Sequence, residues 1–231
     1  MTVGLLGEVL GAPPAPRGTW EKEALYVSAA GLRGRETPEA LAARVRELPG
    51  IAEVRVRPGG WLEIVVAVPG ELLTEIEAVS HPCPGPCPGP CPGPCPGEGP
   101  GWPDFPRTWR NPGFVVRYAC VRAAAVQRWA GELGVGGPFR PELLDGRWDR
   151  AVLRVLAELY GRRGSRDPGW AAYAEQLALA YHDAFEHAPA LPVGDEEPSA
   201  PHTARVRLAR AVREVLGEAL SAIGETVPDR L

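Results

Sequence analysis

The chain has 231 residues, 45% hydrophobic and 23% charged, with a formal net charge of -4. That length buries one large core or two modest ones, and two is the expectation here; the slight acidity excludes a generally basic nucleic-acid coat, so any RNA contact has to come from a local patch. No apolar run approaches the roughly 20 residues of a membrane span, and the opening MTVGLLGEVLGAPPAP lacks a basic stretch followed by an apolar core, which predicts a cytoplasmic protein without membrane association. Lys22 is the single lysine. Because Ala, Gly and Pro are abundant too, the arginine bias reads first as GC-rich coding and second as selection for phosphate-binding forks.

The first unit is placed at residues 1–79, with a faint opening helix at Leu5 to Leu10. Thr37-Pro38-Glu39 starts a helix, with a hydroxyl cap, a proline in the first turn and an acid at the positive end. Leu41, Val45 and Leu48 share one face, and Pro49-Gly50 ends it. Ile51 to Arg57 and Trp61 to Val68, joined by Pro58-Gly59-Gly60, read as a β-hairpin, and Pro69 to Val79 as a short closing helix. Residues 80–106 are placed as a disordered linker. Its core is a Cys-Pro-Gly-Pro repeat in which proline removes donors and fixes φ, giving an extended spacer at about 3.1 Å per residue, long enough to separate its flanks by several nanometres. Cys83, Cys87, Cys91 and Cys95 sit there in a uniform repeat without the tight turn that zinc ligands need, so no metal is expected. Cys120, inside a helical pattern, is expected in the core.

From residue 107 to 231 the pattern is helical. Asn111-Pro112-Gly113 leads into Phe114 to Trp129, and Arg147 to Tyr160 places Trp148, Val152, Val155, Leu156 and Leu159 on one face. Gly161 to Gly169 is a turn. A helix from Trp170 carries Tyr173, Leu177, Tyr181 and Phe185, and the last helix, from His202, has Leu208, Val212, Val215, Leu216, Ala219 and Ile223 as its apolar stripe. His182 and His187 are five apart, which turns the second imidazole away from the first and argues against a helical metal pair. Asp195-Glu196-Glu197 reads as a solvated turn.

The residues carry a resemblance. Val116, Tyr118, Ala119, Arg122 and Arg128 are similar to a "VQYAHAR" helix with a distal arginine. Tyr173, Leu177, Ala178, Tyr181 and His182 follow "YLxxLAxxFHxFYN", and ARVRLARAVREVLGEALSAIGETVPDRL is similar nearly throughout to "ARLxLxxAVRxVLxxGLxLLGVxAPERM". These motifs belong to the DALR anticodon-binding domain of arginyl-tRNA synthetase. ETPEALAARVRELPGIAEVRVRPGGWLEIVV resembles the end of that family's additional N-terminal domain, which contacts the tRNA elbow. The chain departs from the pattern at Arg117, Cys120, Val121, Ala184 and Phe185, and above all at Glu186, where the family has asparagine; a carboxylate cannot donate to an RNA acceptor and repels phosphate.

The resemblance implies an α+β N-terminal unit followed by an all-α DALR-type bundle of the class I synthetase kind, mainly α overall, similar to stand-alone relatives found in actinobacteria. It implies tRNA as the partner, arginine-specific if the likeness extends that far, together with a synthetase or tRNA-dependent enzyme. Its site residues are Arg117, Tyr118, Arg122, Arg128, Tyr181, His182, Arg205, Arg213 and Arg230, which should converge on a contiguous positive surface. Aminoacylation needs a Rossmann core with a His-x-Gly-His motif, and none of His81, His182, His187 and His202 opens one, so neither catalysis nor a cofactor is expected. Three functions stand: a tRNA-binding protein that does not charge its tRNA, an accessory subunit supporting arginine charging, and a protein-docking bundle that has lost RNA. Tyr118 and Arg122 read equally well as core residues, and the near balance of acids and bases also fits a bundle of salt-bridged faces.

Overall fold

A computed structural model describes residues 3–33, 36–79, 102–103 and 105–228. The Cys-Pro-Gly-Pro repeat with Cys83, Cys87, Cys91 and Cys95, and the terminal Arg230, lie outside the described residues. The first unit runs α1 (Val3–Leu10), β1 (Ala15–Arg17), β2 (Ala24–Ser28), α2 (Pro38–Arg46), β3 (Ile51–Arg57), β4 (Trp61–Val66) and α3 (Leu72–Val79). The Thr37 hydroxyl accepts from the Ala40 N–H (3.3 Å), capping α2 as its sequence predicts. Gly59 and Gly60 both have φ near +80° and turn the β3–β4 hairpin. A Cβ on Gly31 would collide with the Gly60 carbonyl oxygen, so this turn is packed backbone on backbone. The sheet is antiparallel with order β1-β2-β4-β3. β1 and β2 leave no signal in the sequence, since three and five residues are too short for a legible alternation.

The second part is a helical bundle: α4 (Pro112–Glu132), α5 (Arg147–Leu156), α6 (Leu159–Arg163), α7 (Trp170–His187) and α8 (Ala200–Ala222). The helix expected from Arg147 to Tyr160 is two helices, parted at Ala157 and Glu158. At the break Glu158 accepts from Arg154 on one side and Arg162 (2.8 Å) on the other. Ser199 precedes α8, its backbone N–H donating to His202 Nδ1 (3.2 Å), so the helix starts two residues before the expected His202. Cys120 is buried as expected, its thiol pushed up to about 12 by burial. No helix among the described residues is long and apolar enough to cross a membrane.

The two parts share one continuous apolar core. Polar ties cross the seam. Arg207 pairs with Glu77 (3.1 Å), Arg150 donates to the Trp20 carbonyl (3.3 Å), Arg154 donates to the Gly18 carbonyl (3.1 Å), and Tyr160 hydrogen-bonds the buried Glu75. Glu75 also accepts from the backbone of Val3 (2.6 Å) and Gly4 (3.2 Å), tying the start of α1 to the same point. A Cβ on Gly70 would collide with the Pro141 carbonyl oxygen, so the backbones touch there. Burial of apolar surface at roughly 25 cal/mol per Å² is the main force at such a joint, and the polar ties set its register. The linker boundary shifts as well: Trp102, Pro103 and Pro106, read as linker, hydrogen-bond to the bundle. Two outcomes are expected. With a protease site inserted between residues 82 and 100 and cut, both halves co-elute on gel filtration, whereas separate peaks would show that the seam does not hold. Gly70→Ala lowers stability in thermal melts by about 1 to 3 kcal/mol through overpacking against Pro141.

Candidate nucleic-acid interface

α4 and α7 pack together and bring Tyr118, Arg122 and His182 into one cluster. His182 Nε2 lies 2.9 Å from the Val115 carbonyl, which can only accept, so this nitrogen carries the proton. Its Nδ1 is then free to accept from Arg122 Nη1 at 3.3 Å. The Arg122 guanidinium lies over the Tyr118 ring (4.5 Å) and the Phe185 ring (4.3 Å), and pairs with Glu186 (2.6 Å). Phe114 stacks on Tyr118 (5.5 Å, 19°), and Trp109 stands nearly perpendicular to His182 (4.8 Å, 86°). Trp109, Phe114 and Phe185 were not among the residues expected at the site. For Trp109 a legible signal exists in the alternation Phe105, Arg107, Trp109, Arg110.

The remaining expected residues scatter. Arg117 is paired with Glu225 (2.7 Å) with side chains only 13% and 11% exposed, and it also donates to the Trp102 carbonyl. Arg205 grips Asp149 (3.2 Å), whose side chain is 1% exposed, and braces α8 against α5. Tyr181 is buried against Phe185 (6.3 Å) with its hydroxyl unpartnered, so it is core. Arg213 borders a shallow cleft between α4 and α8 with Gln127 and Arg210, apart from Arg122. Arg128 is exposed. The expected contiguous positive surface is therefore not assembled from these arginines: carboxylates distant in sequence take up Arg117, Arg122 and Arg205. A second cleft of about 380 Å³ along the seam holds Arg17, Arg154 and Arg162, but Glu158 already satisfies the last two. His187 hydrogen-bonds the Asp183 carbonyl (2.8 Å) and stacks on Trp148 (4.4 Å), a structural role away from His182.

Magnitudes rank these pairs. Breaking a buried pair by removing one partner costs about 3 to 5 kcal/mol, whereas a pair with an exposed partner contributes about 0 to 1 kcal/mol. Glu186 is 56% exposed and Arg122 13%, so among Arg117, Arg122 and Arg205 it is Arg122 whose carboxylate is released most cheaply. Asp149→Ala should lower stability by about 3 kcal/mol in chemical denaturation, since it strands Arg205 half inside the bundle. For His182, burial is the main cause that holds its pKa below the ordinary histidine value, and Arg122 adds to it. A folded-state pKa below the unfolded one means that the stabilisation is present above the unfolded pKa and lost as pH falls through the folded one. Melting temperatures at pH 7.5 and pH 5 should accordingly differ more for the native chain than for His182→Gln; equal differences would refute the assignment.

Two comparisons give this arrangement relatives. The DALR anticodon binding domain family matches residues 168–231, which hold all of α7 and α8. Tyr181, His182, Phe185 and Glu186 fall inside the match, while Tyr118 and Arg122 precede it. The arginine--tRNA ligase of Clavibacter sepedonicus is 37% identical over 131 residues, 54% of this chain. The chain covers 24% of that relative's length. With a DALR-type segment folded into α7 and α8 and this wider similarity, the chain is similar to arginyl-tRNA synthetases over about half of its length.

Proposed function

We propose that the chain holds a tRNA by its anticodon stem-loop at the α4–α7 cluster and does not itself charge it. The carrying observation is that α7, inside the DALR match, places His182, Phe185 and Glu186 around an arginine from α4 whose counter-ion is exposed. Unpaired loop bases bind proteins by stacking on aromatic rings and guanidinium planes, at about 1 to 3 kcal/mol per base. Tyr118 and Phe114 supply such rings, and neutral His182 orients the guanidinium by accepting from it. A phosphate or base acceptor has to displace Glu186, 56% exposed, from Arg122, itself 13% exposed; the cost falls between the roughly 1 kcal/mol of an exposed pair and the roughly 3 kcal/mol of a buried one. The histidines of this chain open no His-x-Gly-His motif, which supports the second half of the proposal.

A second reading, a bundle that docks a protein instead of RNA, draws support from the internal pairing of Arg117, Arg122 and Arg205. Gel-shift titration separates them. Under the first reading tRNA binds at low salt with a log–log slope of about -0.7 to -0.9 per neutralised phosphate. Arg122→Ala then weakens binding roughly tenfold, a loss of about 1.4 kcal/mol, and Glu186→Gln strengthens it up to about fivefold by removing the competing carboxylate. No shift with any tRNA, together with a protein partner that survives nuclease treatment, would establish the second.

A further inference from the structure

The segment entering α4 carries an arrangement that the helical cluster does not explain. Residues 105–113 read Phe-Pro-Arg-Thr-Trp-Arg-Asn-Pro-Gly, with two arginines and no acid. Buried polar groups fasten its backbone. Asn111 Nδ2 donates to the carbonyls of Pro103 (2.8 Å) and Pro106 (3.0 Å), and Arg117, held by Glu225, donates to the Trp102 carbonyl (3.2 Å). The Trp102 N–H donates to Glu225 (2.7 Å), and a Cβ on Gly113 would meet the Trp102 Cβ at 2.6 Å.

On this fixed backbone the large side chains stay in solvent: Phe105 is 69% and Trp109 56% exposed. Arg107 lies over the Phe105 ring at 5.2 Å, and Arg110 is exposed, with no ion pair to either arginine among the described residues. Trp109 also lies 6.1 Å from Tyr118, so the strip runs on into the α4–α7 cluster. Leaving two aromatic rings in water forgoes the gain of burying them. Rings alternating with guanidinium groups that have no ion pair among the described residues match what unpaired nucleotides present, flat faces between phosphates. An acidic peptide would satisfy the arginines and leave the rings unused.

We infer that residues 105–110 form a contact for unpaired nucleotides of an RNA, with Phe105 and Trp109 as stacking surfaces and Arg107 and Arg110 as phosphate partners. This contact rests on the RNA-binding reading above and carries it outside the helices and outside the DALR match. Its test uses a different probe from the tRNA titration: fluorescence anisotropy of the full chain with a labelled, unstructured RNA of about ten nucleotides, within the range such sites cover.

The native chain should bind this probe. Phe105→Ala and Trp109→Ala should each weaken binding about tenfold, with melting temperature unchanged for Phe105→Ala, and Trp109→Phe should restore most of the loss. Arg107→Ala and Arg110→Ala should each reduce the salt slope by about 0.7, the single-strand value. Absence of oligonucleotide binding, or binding indifferent to both alanine variants, overturns the strip. If tRNA still binds and depends on Arg122 alone, the strip fails while the anticodon reading stands. If the oligonucleotide binds through the strip and no tRNA binds at all, the strip stands while the anticodon reading fails. A protein partner lost on Trp109→Ala, with no oligonucleotide bound, assigns the strip to protein and overturns the inference.

Discussion

A guanidinium serves a phosphate only if the carboxylate already beside it can leave. In this chain that condition is decided by burial. Asp149, almost wholly enclosed, fixes Arg205 as a brace between α5 and α8, and Glu225 does the same for Arg117 at the start of the bundle. Removing either acid would strand a charge in a low-dielectric interior, so neither arginine is available to a ligand at moderate cost. Arg122 differs because Glu186 reaches it from solvent. Its guanidinium is positioned by neutral His182 and lies against Tyr118 and Phe185, so orientation comes from the protein and only the counter-ion has to be exchanged.

The same internal pairing explains how an acidic protein with a modest core holds together. The α+β unit and the helical bundle meet directly, through apolar burial, the backbone contact at Gly70 and Pro141, and ties from Arg150, Arg154, Arg207 and Tyr160. Most of the arginine enrichment is thereby absorbed into structure. That agrees with a composition set by coding bias, in which arginine is used wherever a cation is wanted; of the exposed arginines, Arg44, Arg57, Arg140, Arg147, Arg163 and Arg210 pair with carboxylates.

Local chemistry was legible in the sequence wherever one residue type enforces a conformation. Thr37-Pro38-Glu39 started α2, and Gly59-Gly60 turned the hairpin because both occupy positive φ. The apolar periods of α4, α7 and α8 were visible over 18 to 23 residues. Strands β1 and β2 were not, being too short to show a period. Pairings between distant positions were also invisible: Arg117 meets Glu225, Arg122 meets Glu186 and Asp149 meets Arg205 only once the helices are packed. Helical periodicity places a residue on a face and says nothing about which acid waits opposite. For that reason the arginines that looked like one surface divided: Arg117 and Arg205 are braces, Arg122 pairs with an exposed carboxylate, Arg213 borders a separate cleft and Arg128 is exposed.

Everything proposed for the bundle turns on whether the cluster around Arg122 grips the anticodon end of a tRNA. Hydroxyl-radical footprinting of tRNA bound to the full chain tests this most directly. The expected result is backbone protection at the anticodon stem-loop that disappears with Arg122→Ala. Protection confined to other parts of the tRNA, or an anticodon footprint indifferent to Arg122, would contradict it.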